Sequence, residues 1–386
     1  MTGVHADASP RRGPVGVGVI GAGNISDQYL ANLTRFPDLD VRFVADLDAE
    51  RARAQAERHG VPGAGAVDDL LGDDGVELVV NLTIPAAHVE VGLRVLESGR
   101  HVFAEKPLAL DLADGRRLLD RADALGLRVG SAPDTFLGPG PQAARRLVDD
   151  GAIGTPVTAL ALFQVGGPEA WHPNPEFLYA PGAGPLFDMG PYYLTALVNL
   201  LGPIGRVTAA SSTSHPTRVI GSGPRAGESF PVLVPTYHAA LLEFRGGAVG
   251  QAVFSFQSRR HHPPSIEVAG TEGSMAVPNP NGFDGATLVW TDDPETPREV
   301  RVPPTGSLRG IGALEFARAL RAGEPARASG RLAEHVLEAM EAITVSAAAG
   351  RPVDLVTTAD RPPLLADGWD PFAATSAEPV RARPAG

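Results

Sequence analysis

Apolar residues in the first third of the chain fall in short runs that break at glycine. Val15–Ile20 is such a run; Ile25, Tyr29, Leu33 and Phe36 then recur at helical spacing, and Pro37 ends that helix. A second strand is expected over Val41–Ala45. An Ala/Arg/Glu-rich helix is expected over Asp48–His59, closed by Gly60. Leu78–Leu82 reads as a buried strand. Helix Ala86–Ser98 is stopped by Gly99 and leads to strand His101–Ala104; helix Asp111–Leu125 is stopped by Gly126 and leads to strand Val129–Ser131. This strand–helix alternation predicts a parallel sheet with helices on both faces.

The pattern changes after Asp134. Gln142–Asp150 is expected to be a helix ending at Gly151. Val157–Val165, Val207–Ser214, Tyr237–Phe244, Ala248–Phe256, Ser265–Ala269 and Gly273–Val277 read as strands. Short glycine turns, at 244–248 and 270–273, join consecutive strands, which predicts antiparallel pairing. Gly190–Leu201 is an apolar helix, Pro278–Gly285 is a loop, and a last helical stretch, Ile311–Gly350, breaks around Gly323-Glu324-Pro325. The fold class is therefore α/β: an N-terminal parallel domain and a C-terminal α/β domain with a large, mainly antiparallel open sheet. A chain of 386 residues exceeds one ordinary core. Domains are expected at 13–135 and 136–370, with flexible tails at 1–12 and 371–386.

Composition narrows the function. Hydrophobic residues make up 43% and charged residues 20%, an ordinary globular balance. No run reaches the roughly 18 apolar residues of a membrane span, and the N-terminus lacks a signal-peptide core. The formal net charge of -12 repels phosphate backbones and anionic lipid, so neither nucleic acid nor membrane is an expected partner. There is no cysteine, which removes disulfides and thiolate chemistry and fits a cytoplasmic protein. His261 and His262 are adjacent, so on a strand they face opposite ways; with no partner ligand at a suitable spacing, no metal is expected.

Strand Val15–Ile20 runs into Gly21-Ala22-Gly23-Asn24-Ile25-Ser26. A dinucleotide site needs glycine at such a turn for tightness, for close approach of backbone to pyrophosphate and for helix–strand packing. The following helix then points its free N–H groups, from Asn24 and Ile25 onward, at the phosphates. Ser26 takes the third glycine's place. Asp46 ends the second strand, where a carboxylate would accept the ribose hydroxyls and repel a 2′-phosphate. NAD is therefore expected over NADP, although Arg51 and Arg53 keep NADP open. The competing readings are an ordinary strand–helix turn for the glycines and a helix cap or solvated loop acid for Asp46.

Glu105-Lys106-Pro107 follows strand His101–Ala104 at the carboxyl edge of the expected sheet, where such sheets bind ligands. A partly desolvated lysine there can hold a substrate oxygen or move a proton; a solvated surface turn is the alternative. The run Gly18–Ser26, the segment Thr83-Ile84-Pro85 with His88, and Gly99–Leu110 with its Glu-Lys-Pro-Leu together resemble the Gfo/Idh/MocA family. The resemblance continues through Gly182–Leu201 to Gly270-Thr271-Glu272-Gly273. It implies a Rossmann domain followed by a domain whose open sheet supports homodimers or homotetramers. It also implies that Lys106 lies beside nicotinamide and substrate, that Glu105 lies near the nicotinamide ribose, and that Thr83, Pro85 and His88 belong to the cofactor border.

Asp188-Met189-Gly190-Pro191-Tyr192 is expected to open the apolar helix, and residues four apart share a face. The family usually has histidine as proton acceptor where this chain has Tyr192. A free tyrosine is a poor base near neutrality; a neighbouring Lys106 would favour its phenolate, and the neutral phenol is a competent acid for ketone reduction. Asp188 is alternatively a helix cap, and Tyr193 replaces Tyr192 if the helix phase is misread. Trp171 and His172 suit a carbohydrate wall, with His172 the alternative for the missing histidine; Asp134, Thr135 and Phe136 are weaker cleft candidates. The expected activity is NAD(P)-dependent interconversion of a secondary hydroxyl and a ketone on a sugar, glycoside or cyclitol. Two rivals are a glycoside-cleaving enzyme that oxidises its substrate transiently and a non-catalytic dinucleotide sensor.

Overall fold

The computed structural model describes residues 13–260, 263 and 265–375. His261 and His262, the stretch 1–12 and the end from 376 lie outside them. The N-terminal part alternates strictly: β1 (Val15–Ile20), α1 (Asn24–Leu33), β2 (Leu39–Ala45), α2 (Ala49–His59), β3 (Gly63–Gly65), α3 (Val67–Leu71), β4 (Leu78–Asn81), α4 (His88–Glu97), β5 (His101–Ala104), α5 (Leu112–Ala124) and β6 (Val129–Ser131). The strands form one parallel sheet in the order β3-β2-β1-β4-β5-β6. Val17, Val19, Val79, Val80, Val102 and Phe103 are fully buried, as strands covered on both faces must be. The order reverses between β1 and β4, and a crevice at the carboxyl ends of the strands is the ligand site of such a sheet. Asp48, and not Asp46, caps α2: its carboxylate accepts the amides of Glu50 and Arg51.

The second part contains α6 (Pro139–Asp149), β7 (Pro156–Gln164), α7 (Gly184–Leu201), β8 (Ile204–Ser212), the small hairpin β9 (Thr217–Val219) and β10 (Ser229–Pro231), then β11 (Tyr237–Phe244), β12 (Val249–Ser255), β13 (Ser265–Gly270), β14 (Ser274–Val277), β15 (Thr287–Trp290), β16 (Arg298–Val300), α8 (Ile311–Ala322), α9 (Gly330–Ala349) and β17 (Val353–Asp354). Its large sheet has the order β16-β15-β14-β13-β7-β12-β11-β8-β17. Every neighbouring pair is antiparallel except β12 with β7. Inward residues such as Ala161, Ala252 and Leu242 are buried against α7 and α9, whereas Leu241, Gln251 and Glu267 on the opposite face are exposed.

Three expectations change. The apolar helix α7 begins at Gly184, six residues before the Gly190 start expected, because Gly182 and Gly184 take positive φ and Pro185 starts the first turn. Asp188 therefore sits in the second turn and caps nothing. Residues 371–375 are not a loose tail: the Phe372 ring lies 5.6 Å from Phe36, with Arg35 over it, and Thr375 donates its amide and hydroxyl to Asp38. Finally, α8 returns to the first domain, where Arg321 pairs with Glu77 at 2.7 Å and Arg318 with Asp38 at 2.7 Å. The segment just before α8 thereby reaches the crevice.

Candidate active site

The glycine turn, Asp46, Thr83 and Lys106 follow the carboxyl ends of β1, β2, β4 and β5 in the parallel sheet. β1 ends in Gly21, whose φ of +103° only glycine adopts freely; a Cβ there would lie 2.6 Å from the Leu82 carbonyl oxygen. A Cβ on Gly23 would meet nothing within 4 Å, so the open space beside this first-turn glycine is free for a ligand. Ser26 tightens the turn by donating its hydroxyl to the Gly23 carbonyl at 2.6 Å and is itself buried, the close packing a third glycine would serve. Asn24 is exposed at the start of α1, and Ile25 packs its side chain against the core. Asp46 accepts the Ala22 amide at 2.7 Å and the Asp48 amide at 2.9 Å, which fixes a carboxylate against the glycine turn. Arg51 approaches it only to 3.9 Å. An amide-lined turn, an open patch beside Gly23 and a fixed acid fit a dinucleotide.

After β4, Thr83 donates its hydroxyl to Asn81 at 2.7 Å, and Pro85 is exposed at the start of a short turn. His88 is 1% exposed and does not reach the crevice. One ring nitrogen lies 2.7 Å from the Pro107 carbonyl and the other 3.0 Å from the Thr83 carbonyl. It braces the segment after β4 against the one after β5, and burial holds its pKa below the usual value.

After β5, Glu105 is buried. Its carboxylate accepts the Tyr29 hydroxyl at 2.7 Å and the Lys106 amide at 2.9 Å, so it acts as a strut beneath the turn. The Lys106–Pro107 bond is cis. Lys106 Nζ donates to the Asp188 carbonyl at 2.8 Å and to Asp188 Oδ1 at 3.1 Å, and lies 5.4 Å from the Tyr192 ring centre. The four-residue spacing on α7 thus presents Asp188 and Tyr192 to one ammonium. Burial alone would lower the lysine pKa; Asp188, Tyr192 and Glu105 outweigh it and raise it, so Lys106 remains a cation. For Tyr192 burial wins over the opposing pull of Lys106 and Arg309, and its pKa is raised. The resting phenol is neutral at ordinary pH and poised as a donor. Tyr193 is excluded from the crevice: it is fully buried between Phe163 at 6.1 Å and Phe254 at 5.8 Å.

Trp171 and His172 stay with their own loop. Their rings are 5.6 Å apart, His172 also lies 5.3 Å from Phe177, and its Nδ1 accepts the Asn174 amide. Trp171 is 68% exposed and free to meet a ligand. Asp134, Thr135 and Phe136 do not line the cleft; all three are buried, and Thr135 donates to the Pro280 carbonyl. Asp134 instead stands behind a residue that pattern reasoning missed. Arg309, just before α8, lies 3.6 Å from Asp134, bonds Asn281 at 3.3 Å and places its guanidinium 5.7 Å from the Tyr192 ring centre. A lone arginine in a loop carries no spacing signal; the glycine after it, Gly310 with φ of +99° before a helix, was the visible hint.

Two family profiles cover this arrangement. Residues 15–132 match one described as an oxidoreductase family with an NAD-binding Rossmann fold, and residues 142–276 match the GFO/IDH/MocA C-terminal domain. The chain belongs to the Gfo/Idh/MocA oxidoreductase family. As a member it carries an NAD-binding Rossmann domain, the parallel sheet described above. It is 26% identical to the 1,5-anhydro-D-fructose reductase of Ensifer adhaerens, over 67% of this chain and 74% of that protein. It is 34% identical to inositol 2-dehydrogenase 3 of Saccharopolyspora erythraea, over 38% of this chain and 44% of that protein. Its fold overlays the apo form of levoglucosan dehydrogenase with a TM-score of 0.78 at 24% identity, over 90% of this chain and all of that one. Among the described residues no helix is long and apolar enough to cross a membrane.

Proposed function

We propose that this Gfo/Idh/MocA protein interconverts a secondary hydroxyl and a ketone on a sugar, glycoside or cyclitol by direct hydride exchange with NAD. The observation that carries the reading is the Lys106 ammonium, held by Asp188 and facing the Tyr192 phenol, at the sheet edge where the Rossmann domain binds its dinucleotide. When bound, the nicotinamide supplies the hydride chemistry. Lys106 holds the reacting oxygen and stabilises negative charge on it. Tyr192 gives its proton to that oxygen in ketone reduction and takes one back in alcohol oxidation. Thr83 and Pro85 border the cofactor, with His88 and Glu105 bracing their segments. Asp46 favours NAD, since a 2′-phosphate would meet its carboxylate. Trp171 and His172 offer an aromatic and polar wall to the C–H faces of a ring substrate. The names of the relatives, a sugar reductase and a cyclitol dehydrogenase, support this substrate class.

A spectrophotometric screen of sugars, glycosides and cyclitols with NAD and NADP, run in both directions, tests the reading. A polyol-dependent change in nicotinamide absorbance is expected, larger with NAD. Cleavage of a glycoside with no net absorbance change, or dinucleotide binding without turnover of any polyol, would overturn it. The uncovered sheet face, with Leu241 and Val249 each 40% exposed, supports a homodimer or homotetramer, which sedimentation would reveal as a multiple of the 40.1 kDa chain.

A further inference from the structure

We propose that Arg309 is a positioning residue for proton transfer: with Lys106 it sets two cations against the Tyr192 ring and holds the phenol as the group that exchanges the substrate proton. The inference rests on the role given to Tyr192 above. Lys106 Nζ and the Arg309 guanidinium carbon lie 5.4 and 5.7 Å from the same ring centre. They arrive from different parts of the chain, Lys106 after β5 and Arg309 before α8.

The environment of Arg309 argues against a purely structural cation. The residue is 8% exposed, yet its Nε and Nη1 have no hydrogen-bond partner among the described residues. A buried guanidinium kept only for stability is normally tied by several of its five N–H groups. Here one bond is made, from Nη2 to Asn281 Oδ1 at 3.3 Å. The Asp134 carboxylate stands 3.6 Å from Nη1, beyond hydrogen-bond reach, with its Oδ1 also unbonded. The other neighbours are ring faces, Phe283 at 5.4 Å and Tyr192. The carboxylate nearest this cation is therefore Asp134, and one of the two rings it lies against is the Tyr192 phenol.

The surrounding elements hold that geometry. Asp134 Oδ2 accepts the Gly310 amide at 2.8 Å and the Gly312 amide at 3.1 Å, anchoring the turn on which Arg309 stands. From α1, Asn32 donates to the Arg309 carbonyl at 3.0 Å. The charged and titratable groups acting on Tyr192 are Lys106 and Glu105 after β5, Arg309 before α8 and Asp188 on its own helix; Tyr29 and Asp134 act on Arg309 in turn. Glu105 and Asp188 oppose phenolate, so Lys106 and Arg309 are the two groups in its favour. When Tyr192 gives its proton to a ketone oxygen, the charge left on the phenolate faces both cations. When it recovers a proton from an alcohol, they determine how alkaline the solution must be before phenolate is present.

The test is the pH dependence of kcat/KM for alcohol oxidation, measured on Arg309→Gln, Arg309→Lys and Asn281→Ala. Arg309→Gln is expected to move the rising limb, set by phenolate formation, up by about one pH unit and to cut the neutral-pH value about tenfold. Arg309→Lys keeps the charge and is expected to restore the limb to within about 0.3 unit. Asn281→Ala frees the guanidinium and is expected to move the limb the same way by about 0.3 to 0.5 unit. A folded Arg309→Gln whose limb coincides with the native one, or a loss equal at every pH and not restored by lysine, would overturn the proposal. If Arg309→Gln does not fold, an unshifted limb in Asn281→Ala overturns it instead. Tyr192→Phe separates the two levels. Unchanged turnover in that variant removes the role of Tyr192 itself, whereas an inactive Tyr192→Phe beside an unshifted Arg309→Gln removes only the role of Arg309.

Discussion

The two halves of the site are built in opposite ways. The half proposed for the dinucleotide is local: Gly21, Gly23 and Asp46 lie on one strand–turn–helix–strand unit, and backbone amides fix the acid at 2.7 and 2.9 Å. The half proposed for proton handling is assembled over long range. Lys106 meets Asp188 across 82 residues, and Arg309 comes from the far end of the chain to face the same ring. The local half is held by neutral amides and steric fit, so it tolerates little change in shape. The assembled half is held by opposed charges in a buried setting, so it tolerates little change in charge.

The largest expected effect falls on the assembled half. Lys106→Met removes the group proposed to hold the reacting oxygen and leaves Asp188 without its cationic partner. Turnover is expected to drop by roughly 10³-fold while NAD affinity, measured by calorimetry, changes less than about threefold. Equal losses in both would merge the two halves into one. Next, the two turn glycines are expected to separate shape from ligand. Gly21→Ala forces a Cβ against the Leu82 carbonyl at a positive φ and should cost about 3 kcal/mol in denaturant unfolding. Gly23→Ala meets no protein atom, so stability should change by under about 1 kcal/mol while NAD binding weakens at least about tenfold. Asp46→Ala is expected to weaken NAD about tenfold and leave NADP less affected, since it removes both the ribose acceptor and the repulsion.

The legibility of each half follows from its construction. The glycine turn and Asp46 are readable because the whole unit is contiguous and its strand, turn and helix signals lie side by side. Helix α7 is readable as an apolar run but not in its start, because Pro185, which follows two glycines of positive φ, opens its first turn. Lys106, Asp188 and Tyr192 stood out from motif spacing, but no periodicity signals that α8 swings back to the Rossmann domain. Arg309, Asn281 and Phe283 lie in loops without pattern and became visible only in three dimensions. His88 was assigned to the cofactor border, yet its ring is spent on two backbone carbonyls.

The scaffold common to both halves is expected to answer to pH through stability and not through activity. Burial pushes His101, His238 and His335 down to about 4. A histidine kept neutral in the fold takes up its proton more readily when unfolded. The resulting stability is complete above the unfolded value of about 6.5 and is lost as pH falls from there towards 4. Melting temperature should therefore decline over that window with no matching change in the ratio of NAD affinity to turnover. A flat melting curve there would contradict it.

A single-turnover measurement on Tyr192→Phe, mixed with NADH and the best ketone from the screen, isolates hydride transfer from binding and release. A folded variant that binds NADH normally but oxidises it at least about 10²-fold more slowly than the native enzyme is the expected result. Oxidation at the native rate would mean that the phenol beside Lys106 does not supply the proton.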